Sequence, residues 1–113
     1  MPISVPDVAL AELSVRALAI DPNYSAAWYY LGVSLGPSDA VLVSGRRVTK
    51  CQGFVRALEI DPNYAAAWYE LGVCLGPDED IGVSGQKVTK SECFAQAREL
   101  DPSFAAAWYS ATA

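Results

Sequence analysis

Apolar residues recur at helical spacing in two stretches forty residues apart. Ala27, Trp28, Leu31 and Leu35 fall on one stripe, as do Ala67, Trp68, Leu71 and Leu75. This is the pattern of a helix that buries one face. It predicts helices over 24–36 and 64–76, each ended by Gly36-Pro37 or Gly76-Pro77, with the glycine in a left-handed cap and the proline unable to continue. The spacing then changes. "AVLVSGRRV" (40–48) and "DIGVSGQKV" (80–88) alternate about a Ser-Gly pair, which predicts β-hairpins with a two-residue turn. With Ser-Gly as the turn, Val43 pairs with Arg46 and Val41 with Val48. Val41, Val43 and Val48 then share one face, and Ile81, Val83 and Val88 share the equivalent one. An isolated hairpin is marginal, so that face is expected against the helices. Thr49-Lys50-Cys51-Gln52 and Thr89-Lys90-Ser91-Glu92 fit the capping box and open helices over 50–60 and 90–100. Their stripes are Phe54, Ala57 and Leu58, then Phe94 and Ala97. Helices over 7–20 and 104–112 bring the expected number to six.

The two stretches are parts of a longer repetition. Residues 21–60 and 61–100 align without a gap, with about 23 of 40 positions identical, and such self-similarity marks a repeat architecture. A third copy begins at Asp101 and reaches Ala113. The first twenty residues end in "VRALAI", matching "VRALEI" at 55–60. The expected organisation is one domain, 1–113: a divergent half repeat (1–20), two full repeats (21–60 and 61–100) and a partial one (101–113). A single helical pair cannot bury its own stripe, but stacked copies bury each other's. The expected fold is therefore mainly α, an α-solenoid of helix pairs with two short hairpin insertions. Gly32 and Gly72 are placed to let helices approach closely, with a tryptophan filling the space beside each.

Composition narrows the function classes. Hydrophobic residues make up 52% and charged residues 19% of the chain, enough to bury a core. The net charge of −5 disfavours a nucleic-acid partner, whose binding rests on Lys and Arg. No apolar run is long enough to span a bilayer, so no membrane partner is expected and a cytoplasmic protein is. There is no histidine, which removes the commonest general base and metal ligand. Cys51, Cys74 and Cys93 align with Ser91, Ser34 and Gly53, without the paired spacing of a disulfide framework or zinc site. They are expected to be reduced, small apolar residues. No phosphate loop, nucleophile elbow or metal-binding helix motif occurs. No enzyme activity, cofactor or metal is expected.

Taken as a set, these residues resemble the tetratricopeptide repeat, a helix-turn-helix unit. The family's W-x-x-L-G falls on Trp28, Leu31 and Gly32, and on Trp68, Leu71 and Gly72. Its later aromatic, alanine and proline fall on Phe54, Ala57 and Pro62, then on Phe94, Ala97 and Pro102. The chain departs from the pattern in its forty-residue period and in Lys50 and Lys90, which stand where a small residue opens the second helix. The likeness is to a variant with a hairpin between the helices. The resemblance implies a concave face carrying Ala26, Tyr29 and Val33, then Ala66, Tyr69 and Val73, then Ala106 and Tyr109. A tyrosine ladder there would take an extended peptide or protein segment; the other possibility is that the tyrosines pack between repeats. Family members that clamp a carboxylate use Lys, Arg and Asn on this face, so Tyr and Val suit a more apolar ligand.

Three other features carry candidate chemistry. "PDED" (77–80) is either a cation or catalytic site or a solvated loop. Arg46-Arg47 either meets an acidic partner or keeps a strand edge soluble. Phe104 and Trp108 on the last expected helix, with Leu10 and Leu13 on the first, form apolar stripes that could join one copy to another as a homo-oligomer. The expected function is a protein-interaction module or scaffold fragment, with a self-assembling structural unit as the alternative.

Overall fold

The computed structural model describes residues 5–103. Among these, helices and hairpins follow in the order α1 (Val5–Ile20), α2 (Ser25–Ser34), β1 (Ala40–Val43), β2 (Arg46–Thr49), α3 (Lys50–Ile60), α4 (Ala65–Cys74), β3 (Asp80–Val83), β4 (Gln86–Thr89) and α5 (Lys90–Leu100). The helix expected over 104–112 lies outside the described residues. The chain is thus mostly helical, with two small antiparallel hairpins. Helices pack in chain order: α1 on α2, α2 on α3, α3 on α4 and α4 on α5.

The expected stripes form the core. Ala27, Trp28, Leu31 and Leu35 are buried, as are Ala67, Trp68, Leu71 and Leu75 and, from α3, Phe54, Ala57 and Leu58. Each tryptophan is also tethered. The indole Nε1–H of Trp28 donates to the Pro22 carbonyl at 2.8 Å, and that of Trp68 to the Pro62 carbonyl at 2.9 Å. The turn that enters the helix therefore satisfies the one polar atom its tryptophan buries.

Both hairpins have the register that a Ser-Gly turn requires, with Val43 opposite Arg46 and Val41 opposite Val48, then Val83 opposite Gln86 and Ile81 opposite Val88. The turn residues take positive φ, 51° and 81° at Ser44-Gly45 and 52° and 83° at Ser84-Gly85, as the mirror-image hairpin turn demands. Val43, Val48 and Val83 are buried. Strand β1 lies against α1 and β3 against α3, so each hairpin covers the helix that precedes its pair.

Two local expectations are corrected. Helices α2 and α4 do not end in a left-handed glycine. They end at Ser34 and Cys74, and the next residues, Leu35 and Leu75, turn to extended backbone and bury their side chains. The exposed carbonyls are taken by lysine. Lys50 Nζ donates to the carbonyls of Gly32 at 2.8 Å and Leu35 at 2.9 Å, and Lys90 Nζ to those of Gly72 at 2.8 Å and Leu75 at 3.0 Å. A cation at this end also faces the negative pole of the helix dipole. Gly32 and Gly72 face not a tryptophan but the phenylalanine of the next helix. A Cβ at Gly32 would lie 2.7 Å from the Phe54 ring, and one at Gly72 would lie 2.6 Å from the Phe94 ring. No side chain fits there without displacing the ring.

The capping boxes are present as expected. Thr49 accepts from the Gln52 amide at 3.4 Å and Gln52 Oε1 from the Thr49 amide at 2.9 Å. Thr89 and Glu92 repeat the arrangement. Helices α3 and α5 therefore begin at the expected residues.

Candidate functional site

Helices α2 and α4 place the residues that the resemblance put on an inner face. Ala26, Tyr29, Ala66 and Tyr69 are half-buried, while Val33 and Val73 are 39% and 49% exposed. Ala106 and Tyr109 lie outside the described residues. Tyr29 on α2 and Tyr69 on α4 each pack against the second helix of their own repeat, α3 and α5. Tyr29 lies 5.7 Å from the Phe54 ring and Tyr69 5.7 Å from the Phe94 ring.

Tyr29 is also built into the seam between repeats. Its ring stacks on Tyr64 at 4.9 Å and 30°, and meets Tyr30 edge-on at 5.3 Å. The packing role left open for the tyrosines is thus realised at Tyr29. Burial raises its phenol pKa above the ordinary value, with Glu70 and then Tyr30 adding to the shift. Burial, reinforced by Tyr30 and Tyr29, pushes Tyr64 up to about 12.

Glu70 is the only charged side chain on α2 or α4. It stands where the first copy has Tyr30, is half-buried, and has its carboxyl pKa raised by burial despite the nearby Lys50 ammonium. Lys50 and Lys90 are engaged at the helix ends, each also near a phenylalanine ring.

The fold brings Cys51 and Cys74 together across the α3–α4 seam. Interaction with the Cys74 thiol lowers the Cys51 pKa to about 7 against the opposing effect of burial. The same interaction, with burial, raises Cys74. Cys93 is fully buried and pushed up to about 12 by desolvation. The sequence reading missed the Cys51–Cys74 pair because 51 and 74 occupy different places in the repeat, and their counterparts, Ser91 and Ser34, make neither stand out.

The acidic loop has a local role. Glu79 Oε1 accepts from the Gly76 amide at 2.6 Å, and Asp39 Oδ2 accepts from the Gly36 amide at 3.0 Å in the first copy. One carboxylate at this place braces the loop in both copies. Among the described residues no three His, Cys, Asp or Glu side chains are grouped to hold a metal ion, and no helix is long and apolar enough to cross a membrane. Leu10 is half-buried and Leu13 63% exposed on α1, while Phe104 and Trp108 lie outside the described residues.

No curated protein and no solved structure matches the chain. Residues 54–88, from Phe54 of α3 to Val88 of β4, match the family model described as the tetratricopeptide repeat: the chain carries a tetratricopeptide-like repeat.

Proposed function

We propose that the chain is a protein-interaction module whose binding face runs along α2 and α4 and takes an extended, largely apolar peptide segment. Tetratricopeptide repeats are typically non-catalytic modules for protein–protein interaction, and this chain carries one. One observation supports the choice of face: Val33, Val73 and Tyr30, at 39%, 49% and 47% exposure, stay open to solvent on helices whose other faces are closed. Such apolar positions on an otherwise packed element favour an interaction surface.

The test begins with a displayed peptide library selected on the immobilised chain. A selected peptide is then titrated against Val33→Asp/Val73→Asp. Both valines are exposed, so the fold should survive while affinity falls. An unchanged affinity would place the binding site elsewhere. Tyr29→Ala is a poorer probe, because the ring also holds the seam with Tyr64.

A second reading, self-association through α1, is favoured by Leu13 and Ile20, which are 63% and 87% exposed on one helix. Light scattering across a wide concentration range tests it. Mass that rises with concentration, and falls back in Leu13→Lys, supports that reading; constant mass ends it.

A further inference from the structure

We propose that the groove between the two hairpins is a separate binding site, for an acidic peptide segment that carries a large apolar side chain. The cavity has a volume of about 430 Å³, the size of a pocket for one or two side chains. Trp28, Val48 and Val55 give it an apolar lining, joined by Ile81 of β3. Its rim is cationic. Arg46, Arg47 and Arg56 all line it, three of the eight lysines and arginines in a chain of net charge −5.

The arginines are free to act on a ligand in different degrees. Arg46 and Arg47 are exposed, and among the described residues neither has an ion-pair partner. Arg56 is held in place. Its guanidinium lies 5.3 Å over the Trp28 ring, and its Nη1 is 3.2 Å from Glu59 Oε1. Guanidinium groups suit carboxylates because their planar donors can engage both oxygens. Strands β2 and β3 border the groove and belong to two-stranded sheets, so each keeps an unpaired edge whose main-chain groups suit an extended segment.

The next repeat offers an internal control. The equivalent cavity, about 660 Å³, is lined by Trp68 with Gln86, Lys87 and Gln96 in place of the three arginines. One cation there meets two carboxylates, Glu92 and Glu99. In the first groove three cations meet one carboxylate, Glu59, which is already paired. The positive charge is therefore a property of this groove, not of the repeated unit.

The control also supplies the variant. Arg46→Gln/Arg56→Gln installs residues that the second copy already carries at those positions. Circular dichroism melts check that the fold is kept. The probe is a fluorescein-labelled Glu-Asp-Phe-Glu-Asp-Leu peptide, capped at both ends and followed by fluorescence anisotropy. The parent chain should bind it, and the double variant about a hundredfold more weakly, since each of the two lost charge-assisted contacts is worth about a factor of ten. Val33→Asp/Val73→Asp should bind the probe as the parent does, which separates this site from the face on α2 and α4. The proposal is overturned if the probe fails to bind, if the arginine variant binds it equally well, if a peptide with lysine in place of every acid binds as tightly, or if inorganic phosphate displaces the probe fully. The last result would mark a simple anion site.

Discussion

Lys50 and Lys90 stand where the tetratricopeptide pattern has a small residue, and their position explains how α2 and α4 end. A lysine stem long enough to cross the pair puts its ammonium on two carbonyls of the helix before it. Lys50→Met keeps the apolar stem and removes the cation. It should cost about 1.5–3 kcal/mol, the range for hydrogen bonds to a charged group. Urea denaturation measures this, and an unchanged midpoint would show that water caps the helix equally well. Glu70 acts in the opposite sense. Burial raises its folded carboxyl pKa, so the folded state holds the proton more tightly than the unfolded one. Its contribution is therefore most favourable below the unfolded value and is lost as pH rises through the folded one. Glu70→Gln should raise the melting temperature at pH 7 and leave it nearly unchanged at pH 3. An equal gain at both would assign the effect to something other than ionisation.

At the scale of elements, the hairpins combine a favourable pattern with an imperfect turn residue. Ser44 and Ser84 hold φ near +50°, a region that costs an ordinary L-residue about 1–2 kcal/mol and asparagine less. Ser84→Asn should therefore keep or raise the melting temperature. Ser84→Val, β-branched at the same φ, should lower it. If valine were tolerated as well as asparagine, the turn would not be setting the register. The register matters because a one-residue slip would turn Val83 out of the core and Lys87 into it. Helices α3 and α5 start on their expected residues because Thr49 and Thr89 close a capping box with Gln52 and Glu92, a signal contained within four residues.

The whole molecule is held by seams between consecutive helices. Trp68 sits in the central copy, 8% exposed and tied through its indole to the Pro62 carbonyl. Trp68→Ala should cost about 3–5 kcal/mol, as expected for truncating a buried large aromatic. A near-native urea midpoint would deny tryptophan its place in the core. Tyr29 and Tyr64, from successive repeats, stack across the α2–α3–α4 junction. One ring therefore joins neighbouring copies on the same helix that carries the proposed peptide face.

What the sequence determined by itself is whatever depends on near neighbours along the chain. The 3.6-residue stripe through Ala27, Trp28 and Leu31 marked the core face of α2, and the Ser-Gly pair specified the hairpin register. The Thr-x-x-Gln and Thr-x-x-Glu boxes marked the starts of α3 and α5. Each is a local interaction whose geometry follows from backbone sterics or from hydrogen bonds across a few residues. The tertiary structure decided the contacts between distant positions. Lys50 reaches back 18 residues to Gly32, so the end of α2 depends on a side chain from beyond the hairpin, and Gly36-Pro37 gave the wrong mechanism for that end. Phe54 occupies the space over Gly32 because α3 folds back against α2. Arg46, Arg47 and Arg56 gather round one groove only when β2 and α3 fold together beside β3. Periodicity shows which face of an element is buried. What meets that face is set by the packing of elements whose partners lie tens of residues away.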